Sequence, residues 1–411
     1  MGLIIMSAYR RFLSSRLARA RASDIREILK ITEGRQVISL AGGLPDPRVF
    51  PKSELVDITR QVLEEYGDQA LQYSPTKGVT PFRETLKGFM ASHGTPARSW
   101  DDIIVTTGSQ ESLYLLAQAL LDPGDVVLMD EPGYLAAINV FAYAQARLAG
   151  VRVDKQGMDT HALEEKIKKL KAEGLSLKLV YTNPTSQNPT GSTMSLERRK
   201  HLLEIASRYD LLVVEDDPYS FFTFEGEKPP HLKALDQEGR VIYTSTFSKI
   251  LTPGLRLGWT LAHEDVVNAM ETLKQMVDLH SSTFNQYMAM EAIKKGVVDE
   301  VIARAKDVYR EKRDAMIGEL EANLQGIAEW TRPIGGFFTM VYLPEGMNAR
   351  SLLVESIERI GVAFVPGDSF FPENPKENTM RLSYSMPPAE TIREAVRRLA
   401  GLIKEKAQQA Q

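Results

Sequence analysis

The feature that most constrains this chain is a repeating order: a short apolar run, a polar or Gly/Pro break, then a helical stretch. The runs are Val37-Ile-Ser-Leu40, Asp102-Ile-Ile-Val-Thr106, Asp125-Val-Val-Leu-Met-Asp130, Leu177-Lys-Leu-Val-Tyr-Thr182, Leu211-Leu-Val-Val214 and Val241-Ile-Tyr243. Helical spacing separates them, as in Ser53–Tyr66, Gln110–Leu121 and the stretch opening at Ser195, where Leu202, Leu203 and Ile205 share one side. Continuous apolar runs belong to strands buried on both faces, and regular alternation with helices makes those strands parallel. The order therefore predicts an α/β fold, with a largely parallel sheet covered by helices and a site beyond the carboxyl ends of its strands. Leu257-Gly-Trp-Thr-Leu-Ala262 reads as an edge strand.

Beyond a helical zone over 264–325 the character changes. Gly335–Leu343, Gly361–Pro366 and Met380–Tyr384 are β-like, and a closing helix starts at Pro388. The expected organisation is an N-terminal arm with part of a small domain (1–48), a large domain (49–305) and a small C-terminal α+β domain (306–411). A length of 411 residues suits two such parts. A formal charge of -4 gives no general attraction to nucleic acid or acidic membranes. No apolar run reaches the roughly 18 residues of a membrane-spanning helix. Without cysteine there is no disulfide, thiolate nucleophile or thiolate metal site, and the expected location is cytoplasmic. The first 23 residues hold five arginines and no acid, which reads as a basic arm packed on the body or on a second subunit. A short helix is expected from Ser23-Asp-Ile-Arg26.

The strand ends carry the chemistry. Val241-Ile-Tyr-Thr-Ser-Thr246-Phe-Ser248-Lys249 delivers hydroxyls and a lysine, with Arg256 seven positions on. Such a set suits an anionic cofactor bearing an aldehyde: Lys249 for a Schiff base, Thr246, Ser248 and Arg256 for a phosphate. Ser109 and Gln110 open a helix whose amides favour the same anion. Tyr134 would stack on a flat ring, Asn188 would donate to a phenolate oxygen, and Asp216 would pair with a ring nitrogen. These are the needs of pyridoxal 5′-phosphate. Glu215-Asp216-Asp217 also fits a Mg²⁺ site, but no second acidic cluster accompanies it. Six scattered histidines without HExxH spacing speak against zinc catalysis, so no metal is expected.

Several ordered motifs carry a resemblance. They are Tyr73-Ser-Pro-Thr-Lys-Gly78, Thr107-Gly-Ser-Gln110, Asn188-Pro-Thr-Gly191, Asp216-Asp-Pro-Tyr219, Thr246-Phe-Ser-Lys249, Gly254-Leu-Arg-Leu-Gly258 and Met380-Arg-Leu-Ser-Tyr-Ser385. With them the chain resembles the fold-type I pyridoxal-phosphate aminotransferases of class I/II, over nearly its whole length. Ile25-Arg26-Glu-Ile-Leu29 and Leu40-Ala-Gly-Gly-Leu-Pro45 are similar to the 2-aminoadipate/kynurenine/aromatic branch. The resemblance implies a seven-stranded type of sheet, ping-pong transamination through a Lys249 Schiff base, and 2-oxoglutarate as a shared 2-oxo acid. It implies Arg381 as the clamp for the substrate α-carboxylate, Tyr219 on the cofactor's phenolic oxygen beside Asn188, and Gly43 and Arg26 near the substrate. Tyr73 is implied to reach the phosphate of a neighbouring subunit, hence a homodimer with shared sites. The alternatives on the same scaffold are an alanine:glyoxylate-type aminotransferase or a pyridoxal-phosphate lyase or synthase. A ligand-sensing domain of a transcription regulator is a third reading, but the 23 residues ahead of Asp24 leave no room for a DNA-binding domain.

Overall fold

The structure is a computed structural model and describes residues 9–19 and 36–409. The helix expected around Arg26, and Arg26 itself, lie outside the described residues. In chain order the first elements are β1 (Ile38–Ser39), α1 (Lys52–Ala70), α2 (Thr80–Ser92), β2 (Asp101–Thr106), α3 (Ser109–Leu120) and β3 (Val126–Glu131). Next come α4 (Leu135–Tyr143), β4 (Arg147–Asp154), β5 (Gly157–Met158), α5 (Thr160–Ala172), β6 (Leu177–Thr182) and α6 (Leu196–Tyr209). The central strands end with β7 (Leu212–Asp216), a short α7 (Leu232–Leu235), β8 (Val241–Thr246) and β9 (Gly258–His263). The last part holds α8 (Glu264–Val277), α9 (Thr283–Lys294), α10 (Val297–Leu324), β10 (Glu329–Trp330) and β11 (Phe338–Tyr342). It closes with α11 (Ala349–Glu355), β12 (Val362–Ala363), β13 (Val365–Pro366), β14 (Thr379–Ser383) and α12 (Ala389–Gln409).

The main sheet has the order β2-β9-β8-β7-β6-β3-β4-β5. Its centre, β4, β3, β6, β7 and β8, is parallel throughout. Strand β9 runs antiparallel to both β8 and β2, so β2 again points the way β8 does. The carboxyl ends of β2, β3, β6, β7 and β8 consequently lie along one border of the sheet. One face is covered by Leu113, Leu116, Phe141 and Met270, the other by Leu163, Ile167, Leu202 and Ile205. The expected fold class holds, with two differences in detail. The Leu257–Ala262 run is not an edge: β9 is inserted between two strands, and Trp259 and Leu261 are wholly buried. Strand β2 takes that edge. At the other margin, β4 completes the expected seven-stranded type and the two-residue β5 adds an eighth strand; the β4 segment was not anticipated because Arg147 and Arg152 break its apolar character.

A second sheet, β10-β11-β14-β13, is antiparallel throughout, and β1 pairs in parallel with β12. The β-like 361–366 stretch therefore splits between two sheets. Helix α10, 28 residues and about 42 Å long, runs through positions 305 and 306 and packs along α12.

A buried ion pair ties the segment after β1 to this part. Lys312 Nζ on α10 donates to Asp46 Oδ2 at 2.5 Å and to the Ser385 carbonyl at 2.7 Å. Burial alone would raise the Asp46 carboxyl, but the Arg48 and Lys312 hydrogen bonds hold it down at about 2. Removing one member of a buried pair typically costs ~3–5 kcal/mol, because the other charge stays buried. Asp46→Ala should therefore lower the thermal midpoint by several degrees, and melting at the parent temperature would remove the pair from the fold's support. Because the folded-state pKa is depressed, the contribution of Asp46 is complete above the ordinary value of 3.8 and is lost as pH falls toward about 2.

Candidate active site

A cavity of about 990 Å³ opens at the carboxyl border of the main sheet. Gly43, Ser109, Gln110, Tyr134, Asn188, Asp216, Tyr219, Thr246, Ser248, Lys249, Arg256 and Arg381 all line it. Eleven of these twelve lie on the main-sheet side or the segment after β1, and Arg381 comes from β14 of the second sheet. Tyr73 is the described exception: the residue is 78% exposed, and it packs edge-on against His280 rather than lining the cavity of its own chain.

One end of the cavity is built for an anion. Gly108 precedes α3 with φ +77, and a Cβ there would stand 2.5 Å from Arg256 Nη2. Only glycine permits both that backbone and that approach. Arg256 itself sits in a left-handed turn (φ 50) after Pro253–Leu255, which returns its guanidinium toward the helix start. Its Nη1 donates to Ser248 Oγ at 3.3 Å, and Thr246 Oγ1 donates to the same oxygen at 2.9 Å. A helix N-terminus, a guanidinium and two buried hydroxyls together form a phosphate-type site.

The deep wall is different. Asp216, the last residue of β7, is 3% exposed. Tyr181 donates to its Oδ2 at 2.6 Å and the Asn183 amide to its backbone carbonyl at 2.7 Å, while Oδ1 has no partner among the described residues. Burial lifts this carboxyl to about 7, against the pull of the Tyr181 hydrogen bond. The neighbouring Asp217 faces the other side of the sheet edge, where burial is outweighed by His231, Ser220 and Tyr243, so its carboxyl stays ionised. Lys249 donates to the Gly43 carbonyl at 2.8 Å. Burial, with Arg256 and Arg381 nearby, lowers its amine to about 8.

Arg381 is 1% exposed and lies between the rings of Phe338 and Phe370, 4.2 and 5.1 Å from their centroids. Its Nη1 donates to Asn188 Oδ1 at 2.8 Å and its Nη2 to the Ala41 carbonyl at 2.5 Å, leaving Nε without a partner among the described residues. Burial brings its pKa down to about 10, so it remains a cation at neutral pH. The Asn188 side chain also engages the Tyr219 phenol, whose pKa burial pushes up. Tyr134, raised to about 12 mainly by burial, remains neutral. The cavity is also lined by residues that sequence reading passed over: Tyr114, Asn139, Tyr143, Asn183 and Phe338. Only Asn183 carried a signal, as the first of two Asn-Pro pairs five residues apart.

An unpartnered buried carboxylate oxygen calls for a donor from a ligand, and a protonated pyridine nitrogen is one. With an amine and an anion site on the same cavity, the residues fit pyridoxal phosphate. Comparison with known proteins agrees. Residues 46–399 match the family described as aminotransferase class I and II, and the chain belongs to that family. It is a pyridoxal-phosphate-dependent aminotransferase of fold type I. An aromatic-amino-acid aminotransferase of Thermococcus litoralis is 44% identical over 397 residues, covering 97% of this chain and 95% of that one. Among solved structures, a kynurenine aminotransferase of Pyrococcus horikoshii, in complex with PMP, is similar with a TM-score of 0.94 and 43% identity, over 98% of this chain and 99% of that one. An archaeal alanine:glyoxylate aminotransferase gives 0.93 and 41%, over 97% and 99%.

The lowered Lys249 amine sets a pH test. Only the neutral amine attacks an aldehyde, so capture of pyridoxal phosphate by the cofactor-free protein should accelerate as pH rises through about 8 and level off above it. Stopped-flow absorbance reads this directly, and a capture rate that climbs on to pH 10 would contradict the assigned surroundings of Lys249.

Proposed function

We propose that the chain moves an amino group between an α-amino acid and a 2-oxo acid by a ping-pong cycle, with 2-oxoglutarate as the shared acceptor. The observation that carries this reading is that one cavity is lined by an amine, a buried carboxylate and a buried guanidinium, the latter two each with an atom lacking a partner among the described residues. Bound pyridoxal phosphate supplies an aldehyde that takes up amino groups and a ring that withdraws electrons from the substrate α-carbon. Ser109, Gln110, Thr246, Ser248 and Arg256 would hold the phosphate, Tyr134 would stack on the ring, and Asn188 and Tyr219 would bind its phenolic oxygen. Asp216 would bind the ring nitrogen through Oδ1. Lys249 Nζ would hold the cofactor between turnovers; once released, the same Nζ would take the α-proton of the substrate as a base and deliver it, as an acid, to the cofactor's C4′ carbon. Arg381 would take the α-carboxylate, and its forked geometry would orient the substrate so that its Cα–H bond faces Lys249.

Gly43 and Arg26 are proposed to face the substrate side chain, and Tyr73 to reach the cavity of a second copy in a cytoplasmic homodimer. The exposure of Tyr73 beside Leu71, and of Met276, Val277 and Leu279, supports such a partner. The two-domain division at 305/306 fits a site that draws its carboxylate clamp from the C-terminal part.

The donor is proposed to be 2-aminoadipate, an aromatic amino acid, kynurenine or a similar compound, the aromatic and kynurenine donors in line with the relatives named above. A second reading, alanine with glyoxylate, is favoured by the similarity to the archaeal alanine:glyoxylate enzyme. A panel of donors against 2-oxoglutarate, pyruvate and glyoxylate separates them: turnover confined to alanine with glyoxylate would overturn the first. Lys249→Ala should abolish turnover and the visible absorbance of the captured cofactor. Arg381→Lys should raise the KM for 2-oxo acids by about tenfold or more, since a point charge cannot replace a fork; an unchanged KM would remove its role.

A further inference from the structure

Tyr181 is the penultimate residue of β6 and is wholly buried, where an aliphatic residue would serve the core as well. Strands β6 and β7 pair in parallel with Tyr181 opposite Val214 and Thr182 opposite Glu215. Asp216 is two positions beyond Val214, so it shares a face with Tyr181 as its diagonal neighbour. The phenol meets Oδ2 at 2.6 Å, and Phe141 packs against the Tyr181 ring at 5.5 Å in an edge-on contact. The Asn183 amide fixes the Asp216 carbonyl from the same strand end. The carboxylate is thereby held at its backbone and at one oxygen, and Oδ1 alone is left without a partner among the described residues.

We propose that Tyr181 is a positioning residue for the reaction: it locks the Asp216 carboxylate so that Oδ1 meets the cofactor's ring nitrogen, and it keeps that carboxylate in its anionic form. This rests on the functional reading given above. A carboxylate without the phenol would be free to rotate about its terminal torsion, which has broad, two-fold preferences. It would also hold a proton more readily. Burial and the Asp217 charge both disfavour the Asp216 anion, and the Tyr181 hydrogen bond is what opposes them. The other ionisable groups around the Tyr181 phenol, Tyr134 and Asp130, offer no cation in compensation. If Asp216 keeps the proton, the ring nitrogen does not, and the ring withdraws electrons less well.

The test uses the holoenzyme loaded with pyridoxal phosphate labelled with ¹⁵N in the ring, because the nitrogen resonance reports its protonation independently of turnover. In Tyr181→Phe the resonance should move from the protonated toward the neutral pyridine position. The cofactor Kd should rise by about tenfold or more, the usual scale for a hydrogen bond to a charged group. The value of kcat should fall similarly, with the KM for the 2-oxo acid within about twofold, because Arg381 is untouched. In an Asp216→Asn background the same change should alter Kd by less than about twofold, since no carboxylate is left to hold. 3-Fluorotyrosine placed at 181, a stronger donor of almost the same shape, keeps the test open if the phenylalanine variant does not fold; it should tighten cofactor binding. A merely structural tyrosine would lower the melting temperature while leaving the resonance of the bound cofactor and its Kd unchanged, and that result in either variant overturns the proposal. A parent enzyme whose ring nitrogen is not protonated would overturn the functional reading itself, a separate outcome.

Discussion

The structure turns on one costly arrangement: the Asp216 carboxyl, taken out of water at the end of a central strand with one oxygen left without a partner among the described residues. Burial of an unpaired charge is among the most unfavourable things a fold does, and proteins tolerate it where a ligand completes the pair. Here burial lifts Asp216 to about 7. A cationic ring nitrogen at Oδ1 would restore the anion, so cofactor binding and the electronic state of the ring are one interaction. Asp217, one residue on, shows the contrast. It is equally buried but accepts hydrogen bonds from Ser220 and Tyr243 and faces His231, so nothing is left for a ligand to satisfy.

The parallel sheet makes this arrangement possible. Strands pointing the same way bring Ser109, Tyr134, Asn188, Asp216 and Lys249 to one border from five separate places in the chain. Helices on both faces keep the strands dry, so the groups at their ends are desolvated as well. The same desolvation lowers the Lys249 amine toward its reactive neutral form and surrounds the Arg381 cation with aromatic faces instead of water. Arg381 reaches the cavity only because β14 belongs to the second sheet, and the Lys312–Asp46 pair is one of the ties that holds the strand segment after β1 against that part.

Much of this was legible from residues alone, for physical reasons. Apolar runs such as Val241–Tyr243 and Leu177–Thr182 have no alternation, which marks strands covered on both faces, and each is a strand of the central sheet. Polar punctuation at their ends marked the site, and twelve expected residues line one cavity. What stayed hidden is what depends on neighbours across the sheet. Strand order cannot be read from a run, so β9 was expected at an edge although β2 and β8 flank it. Strand β4 carries Arg147 and Arg152, which mask its period. Tyr181 looks like any core aromatic, since its role comes from a diagonal partner 35 residues away. Phe338 is set by its stacking on Arg381, 43 positions on, which no local pattern encodes.

Determining the structure of the protein with pyridoxal phosphate bound is the most direct test of the claim that a cationic ring completes the buried Asp216 carboxyl. The expected result places the ring nitrogen within hydrogen-bonding distance of Asp216 Oδ1, with Oδ2 still on Tyr181, Lys249 joined to the cofactor and the phosphate between the start of α3 and Arg256. A cofactor whose ring nitrogen faces water or another group, with Asp216 Oδ1 left as it is, would contradict it.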